Sequence, residues 1–233
     1  HEGRRYTSLV PTLLARLVDD PLGLEALRRF DAVLVGGAAT PAALLDRARS
    51  EGVRVVTTYG MSETAGGCVY DGRPLPGTTA RVQDGRILLG GPTIARGYRN
   101  APSHEAFPGN GWFATSDAGV IEDGILTVTG RLDNVIDSGG LKLHPEVLEN
   151  FMLRIPGVTA ACVVGVADER LGQRICAAYT GSASVPDILD ALADAEDAGR
   201  IAHWQIPKEL KVVASLPQLG PGKVDRSAVR ELF

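Results

Sequence analysis

The 233-residue sequence has little of what would tie it to a disulfide frame, a metal cage, a bilayer or a nucleic acid. Its three cysteines, Cys68, Cys162 and Cys176, are an odd number without C-x-x-C spacing. That excludes a disulfide scaffold and a thiolate zinc site, and it fits a reducing cytoplasm. The four histidines, His1, His104, His144 and His203, are too scattered for metal-ligand spacing. The most apolar run, from Val158 to Ala167, is far shorter than the about 20 residues a membrane-spanning helix needs. Positive charge is not in excess, since 24 Lys and Arg face 28 Asp and Glu. Residues 1–132 carry 14 basic and 14 acidic side chains, and 133–233 carry 10 and 14. Neither part offers the basic surface that a phosphate backbone requires, so no nucleic-acid partner is expected. Lysine is scarce, with only Lys142, Lys208, Lys211 and Lys223. What remains, 44% hydrophobic and 22% charged residues, describes a soluble globular chain.

The patterning divides the chain in two at Leu132/Asp133. Residues 1–73 alternate helix and strand signals. Ser8 is placed to cap a helix through Leu13, Leu14 and Leu17. Residues 31–37 read as a buried strand ending in Gly36-Gly37, Pro41 opens a helix that Gly52 stops, and a second strand follows from Val53 to Thr58. That is an α/β unit with parallel strands, whose ligands bind beyond the strand carboxyl ends. Residues 74–132 become β-rich, with Asp84-Gly85 and Asp123-Gly124 as hairpin turns, and predict a small antiparallel sheet or barrel-like lobe. Residues 133–233 read as a compact α+β domain. In it Ser138-Gly139-Gly140 forms a flexible turn, helices run from Pro145 and over 186–197, and strands cover 160–166, 175–179 and 210–213.

Individual residues suggest chemistry only weakly. A Gly36-Gly37 pair mostly lets a chain turn closely. Tyr59-Gly60-x-Ser62-Glu63 offers an aromatic face, a hydroxyl and a carboxylate suited to a purine, a phosphate oxygen and a metal. Tyr beside Glu is, however, more often packing next to a solvated charge. Asp117 ends an aromatic-rich loop and could accept two hydrogen bonds from a ribose diol, although turn or capping Asp is the commoner use. Lys223 extends from the Gly/Pro loop 219–223 as a mobile charge able to neutralise a transition state, against the ordinary solvated lysine.

Taken in order, these pieces resemble the adenylate-forming enzymes, the superfamily of acyl-CoA synthetases, adenylation domains of peptide synthetases, and luciferases. The resemblance rests on Gly36-Gly-Ala38, Tyr59-Gly-Met-Ser-Glu-Thr64, Gly91-Pro-Thr-Ile-Ala-Arg-Gly-Tyr98, Gly111-Trp-Phe-x-x-x-Asp117 and Gly130-Arg-Leu-Asp-Asn-Val-Ile136. It continues through Ser138-Gly-Gly140, Pro145-Glu146 with Glu149, and Pro221-Gly-Lys223. It implies a partial large domain, made of an α/β lobe and a β-barrel-like lobe, followed by a small mobile C-terminal α+β domain. The resemblance also implies roles. Gly36, Gly37 and Ala38 would line the adenine, Tyr59 stack on it and Gly60 adjoin it. Ser62 would hold the α-phosphate, Glu63 the Mg²⁺, and Asp117 with Arg131 the ribose. Asp133 would be the hinge, Gly139 and Gly140 the CoA tunnel, and Lys223 the adenylation lysine. ATP and CoA are then substrates, with a small-molecule carboxylic acid as the third.

Residues 64–77, with Gly66 and Gly67 leaving room for an aromatic ring, resemble the o-succinylbenzoate–CoA ligases of menaquinone biosynthesis. Other aryl- or acyl-acid CoA ligases, a carrier-loading adenylation domain, and a nucleotide-binding module without turnover remain open. The superfamily's Ser/Thr/Gly-rich phosphate loop has no match in the chain, and the first residue is His1 rather than Met. A truncated piece of a longer enzyme is therefore expected. Its apolar side chains would be left exposed, favouring poor solubility, homo-oligomer formation or a second chain that supplies the missing lobe.

Overall fold

The computed structural model describes residues 3–220 and 223–233. Contacts divide the chain into two compact units, residues 1–129 and Gly130–Phe233, the break falling at Thr129/Gly130.

In the first unit, β1 (Tyr6–Leu9), β2 (Ala32–Val35) and β3 (Val55–Met61) lie parallel, and β4 (Gly66–Tyr70) and β5 (Arg73–Pro74) continue the sheet antiparallel. Helices α1 (Pro11–Asp19), α2 (Pro21–Arg28) and α3 (Ala42–Ser50) fill the connections. Ser8 does not cap α1. It pairs with Leu34 inside β1, and Val10 is the N-cap, because Pro11 has its φ preset for the first helical turn. Asp20 caps α2 by accepting the Gly23 N–H at 2.8 Å. Leu14, Val18, Leu27, Val33, Val35, Ala48, Val53 and Val55 form the core between helices and sheet. Each fully buried aliphatic side chain contributes about 1.5–3 kcal/mol. Tyr6, Val10, Leu13 and Leu22 remain exposed.

The β-rich remainder is an open sheet ordered β6 (Thr79–Gln83), β7 (Arg86–Gly90), β8 (Trp112–Glu122) and β9 (Ile125–Arg131). Both residues of Asp84-Gly85 and of Asp123-Gly124 have positive φ, as primed hairpin turns demand. Asp71-Gly72 does the same between β4 and β5, a hairpin the sequence reading leaves out. Cys68, Val69, Ile87, Leu89 and Leu126 close this core.

The main sheet of the second unit is ordered β11 (Leu141–Leu143), β10 (Ile136–Ser138), β13 (Gly172–Gly181), β12 (Val158–Asp168), with β14 (Glu209–Val212) parallel to β13. Helices α4 (Pro145–Met152) and α5 (Val185–Asp197) bury Leu148, Met152, Ile188 and Leu192 in the larger core. β15 (Gln218–Gly220) and β16 (Lys223–Val224) form a separate ribbon leading to α6 (Arg226–Arg230). Val229 of α6 is buried with Cys162, Val164, Cys176 and Leu216. Among the described residues no helix is long and apolar enough to cross a membrane.

Candidate functional site

β3 changes partners halfway, and that change builds the edge where Gly36, Tyr59, Gly60 and Ser62 lie. Val55–Thr57 pair with β2, whereas Thr58–Met61 pair with β4. Tyr59 and Gly60, expected just past a strand, therefore lie within β3 but beyond the carboxyl end of β2, the position open parallel sheets use for ligands. Gly36 leaves β2 so close to Thr58 that a Cβ would sit 2.1 Å from its Oγ1, so only glycine fits. Gly37 follows with φ +81°, and it and Ala38 are exposed.

Tyr59 donates its hydroxyl to Asp117 Oδ2 at 2.7 Å, joining residues 58 positions apart. Burial, and then the Asp117 charge, push the Tyr59 phenol well above its ordinary range, so it stays a neutral donor. Asp117 is not in a loop before a strand, as its Gly and aromatic neighbours suggest. It lies in β8 at a bulge, where the four steps from Ala114 to Ala118 span only the two from Leu88 to Arg86. Such irregularities re-aim side chains. Thr115, fully buried, secures the bulge: its hydroxyl donates to the Ile87 carbonyl at 2.9 Å and accepts the Asp117 N–H at 3.0 Å. The Arg86 guanidinium holds the Thr115 carbonyl at 2.9 Å. Thr115 escapes sequence reading, since a buried hydroxyl inside a strand has no local signature.

Ser62 opens a short 3₁₀ turn, Ser62–Thr64, and is exposed. Thr64, 1% exposed, pins that turn by accepting the Met61 N–H at 2.9 Å. Glu63 Oε1 accepts the Tyr98 hydroxyl at 2.7 Å, and the Glu63 carbonyl accepts the Ala95 N–H. Tyr98 stands edge-on to His104 and Phe107 at 5.0 and 5.1 Å between ring centres. Its bond to Glu63, then burial, raise its phenol. Gly66 and Gly67 lie in β4 rather than in a relaxed turn. A Cβ at Gly66 would meet nothing, while one at Gly67 would approach the Tyr70 ring at 3.0 Å.

In the second unit, Arg131 grips Asp133 with two bonds, Nε to Oδ1 at 2.8 Å and Nη2 to Oδ2 at 2.5 Å. That fork holds the Asp133 carboxyl below the ordinary carboxylate range. Gly139 and Gly140 are not a slack turn. They join β10 and β11 as a tight hairpin with φ of +65° and +83°, and the Gly140 N–H is bonded to Asp137 Oδ1 at 2.9 Å. Lys223 is exposed at the start of β16, opposite Gly220, so the expected lysine loop is flanked by paired strands. Its Pro221 and Gly222 lie outside the described residues.

No group of three or more His, Cys, Asp or Glu that could cage a metal occurs among the described residues. The half-buried Glu63 carboxylate, with Tyr98 on one oxygen, still fits Mg²⁺. That ion is commonly held by one or two carboxylates together with substrate phosphates.

Two models of one family match the chain: AMP-binding enzyme over residues 1–99 and AMP-binding enzyme C-terminal domain over residues 147–223. A probable 2-succinylbenzoate–CoA ligase of Mycobacterium tuberculosis is 48% identical, over 99% of this chain and 61% of that protein. The 2-succinylbenzoate–CoA ligase of Escherichia coli is 33% identical, over 98% of this chain and 51% of that protein. The chain thus spans between half and three-fifths of the length of these relatives. Among solved structures, the o-succinylbenzoate CoA synthetase of Bacillus subtilis with its acyl-adenylate intermediate superposes with TM-score 0.82 at 28% identity, covering 97% of this chain and 51% of that one. An amide bond synthetase of Marinactinospora thermotolerans gives 0.87 at 26% identity, covering 98% and 53%.

Proposed function

Since the chain belongs to the AMP-binding enzyme family, we propose that it serves an ATP-dependent acid–thiol ligase whose acid is o-succinylbenzoate and whose thiol is CoA. One observation carries the reading. The 48% identity to a protein named a 2-succinylbenzoate–CoA ligase runs along 99% of the chain. The pairing of Tyr59 with Asp117 at the sheet edge supports its nucleotide half.

In this scheme a carboxylate oxygen of the acid attacks the α-phosphorus of ATP, pyrophosphate leaves, and a mixed anhydride with AMP remains. The CoA sulfur then adds to the anhydride carbonyl, its proton is lost, AMP departs and the thioester is left. Positioning and charge neutralisation supply most of the acceleration in such a displacement. Gly36, Gly37, Ala38 and Gly60 present backbone to the adenine and Tyr59 offers its ring face. The neutral Tyr59 hydroxyl keeps Asp117 oriented, so that its carboxylate accepts the ribose hydroxyls, while Arg131 donates to a ribose oxygen. Ser62 donates to an α-phosphate oxygen. Glu63, oriented by Tyr98, would hold Mg²⁺, which when bound offsets negative charge on phosphate oxygens. Lys223 offsets the charge that grows in the first step. Asp133 is the pivot between the two steps, Gly139 and Gly140 border the pantetheine arm, and Gly66 and Gly67 leave space for the aromatic acid.

The purified full-length gene product is tested with MgATP, CoA and a panel of acids, following pyrophosphate release and thioester formation. Release with o-succinylbenzoate well above benzoates, fatty acids and amino acids supports the assignment. Preference for another acid moves the substrate, and nucleotide binding without release from any acid ends the enzyme reading. Lys223→Ala is expected to slow adenylate formation by about 10²–10³-fold, the scale of losing one charge-stabilising group, while sparing thioester formation from supplied adenylate. Asp133→Pro should hinder the change between steps, because proline fixes φ.

A further inference from the structure

The stretch Pro145-Glu146-x-x-Glu149 has no part in that scheme, yet both of its carboxylates converge on one arginine. Arg226 opens α6, three residues after Lys223. Its guanidinium forks onto Glu149, Nη1 to Oε1 at 2.6 Å and Nη2 to Oε2 at 2.9 Å. The two side chains are 20% and 13% exposed. Arg226 Nη1 also donates to the Val163 carbonyl at 2.8 Å, and Glu149 Oε1 accepts the Val163 N–H at 2.7 Å, so the pair is stitched to the middle of β12. Glu146 Oε1 stands 3.5 Å from the same guanidinium. Burial pushes the Glu149 carboxyl up against the pull of Arg226. A buried ion pair adds little over apolar side chains of the same volume, so stability alone does not account for it, whereas fixing a geometry does.

That geometry is the exit of the lysine strand. β15 and β16 pair with each other in a sheet of their own rather than joining the main one. The Asp225 N–H closes the ribbon on the Pro217 carbonyl at 2.9 Å, and the Asp225 side chain caps α6 through Ser227 and Ala228. Arg226 is the next residue. We infer that Arg226 is a positioning residue for Lys223 and that Glu149 is its anchor, the fork fixing where the lysine strand leaves the body of the unit. This rests on the reading of Lys223 as the adenylation lysine.

Two variants test it: Arg226→Lys, which keeps the charge and loses the fork, and the paired Arg226→Met/Glu149→Leu, which removes both charges and keeps the volume. In the paired variant, amides of Val224 and Asp225 should exchange about tenfold faster, while those of α5 are unchanged. Pyrophosphate release should lose about tenfold in kcat, with KM for ATP and thioester formation from supplied acyl-adenylate each within about twofold of the unaltered protein. Arg226→Lys should fall between the two on amide exchange and on kcat, and it carries the test alone if the paired variant does not fold. Unchanged exchange at 224–225 in a folded variant, or parallel loss of both half-reactions, overturns the inference. If the unaltered full-length gene product releases no pyrophosphate from any acid, the functional reading fails by itself, and amide exchange still decides the anchor.

Discussion

A Cβ on Gly60 would lie 2.0 Å from the Gly66 carbonyl oxygen of the paired strand β4. Backbone cannot yield as a side-chain tip can, so Gly60→Ala should cost about 1–3 kcal/mol, read as a lower denaturant midpoint with unchanged slope. The motif marks Gly60 in the sequence, but the reason for it does not show there, because the clash is with backbone across a bulged pair. Asp117 is similar: its partner Tyr59 is 58 residues away, and only the fold brings them together. The thiols make a second test at this scale. Burial pushes Cys162 up to about 12 and also raises Cys68 and Cys176, all three being buried and free. Thiolate is the reactive form, so raising the pKa lowers its fraction at pH 8. Ellman's reagent should find almost no fast thiol in the folded protein and all three after denaturation. One fast-reacting thiol under native conditions would contradict this burial.

Among the elements, the ones written in local chemistry are legible and those set by distant pairing are not. Asp-Gly turns, the Pro-led α4 and the Ser184-capped α5 announce themselves through φ preferences and caps. β1 is hidden in what reads as the approach to a helix, because its strand character comes from pairing with β2 26 residues on. The eight-residue α2 escapes as well, since it carries Gly23 inside and follows α1 with a single residue between. The β8 bulge disguises Asp117 as a loop residue for the same reason, its register being fixed by β7. α1 also carries a correctable weakness. Val10 occupies the N-cap, is 47% exposed and makes no capping bond. Val10→Ser should stabilise the first unit by about 0.5–1 kcal/mol, measured by chemical denaturation, because a serine oxygen would take one of the unpaired N–H groups of the first turn.

For the molecule as a whole, each unit has its own cores, and the break between units at Thr129/Gly130 falls three residues before the Leu132/Asp133 boundary read from the change of texture. The two tryptophans fall one to each side, Trp112 in β8 and Trp204 packed against the larger core of the second unit. Leu192→Ala, at a site with no exposure, should cost the second unit about 2–5 kcal/mol. The unfolding transition seen by Trp204 in a Trp112→Phe background should move, while that seen by Trp112 in a Trp204→Phe background should not. Equal shifts would mean that the units melt as one. In the second unit's sheet, β13 divides one edge between two neighbours: β14 takes four rungs and β10 only the Ser138–Gly172 rung, helped by Gly139 to Leu171. The ribbon tipped by Gly139 and Gly140 is therefore stitched by these two links and by the Asp137 N–H on Gln173 Oε1 at 3.0 Å, while Ile136 and Leu143 root its base in the larger core. Its base is held by the core, so the exposed Gly139-Gly140 tip projects from a fixed root.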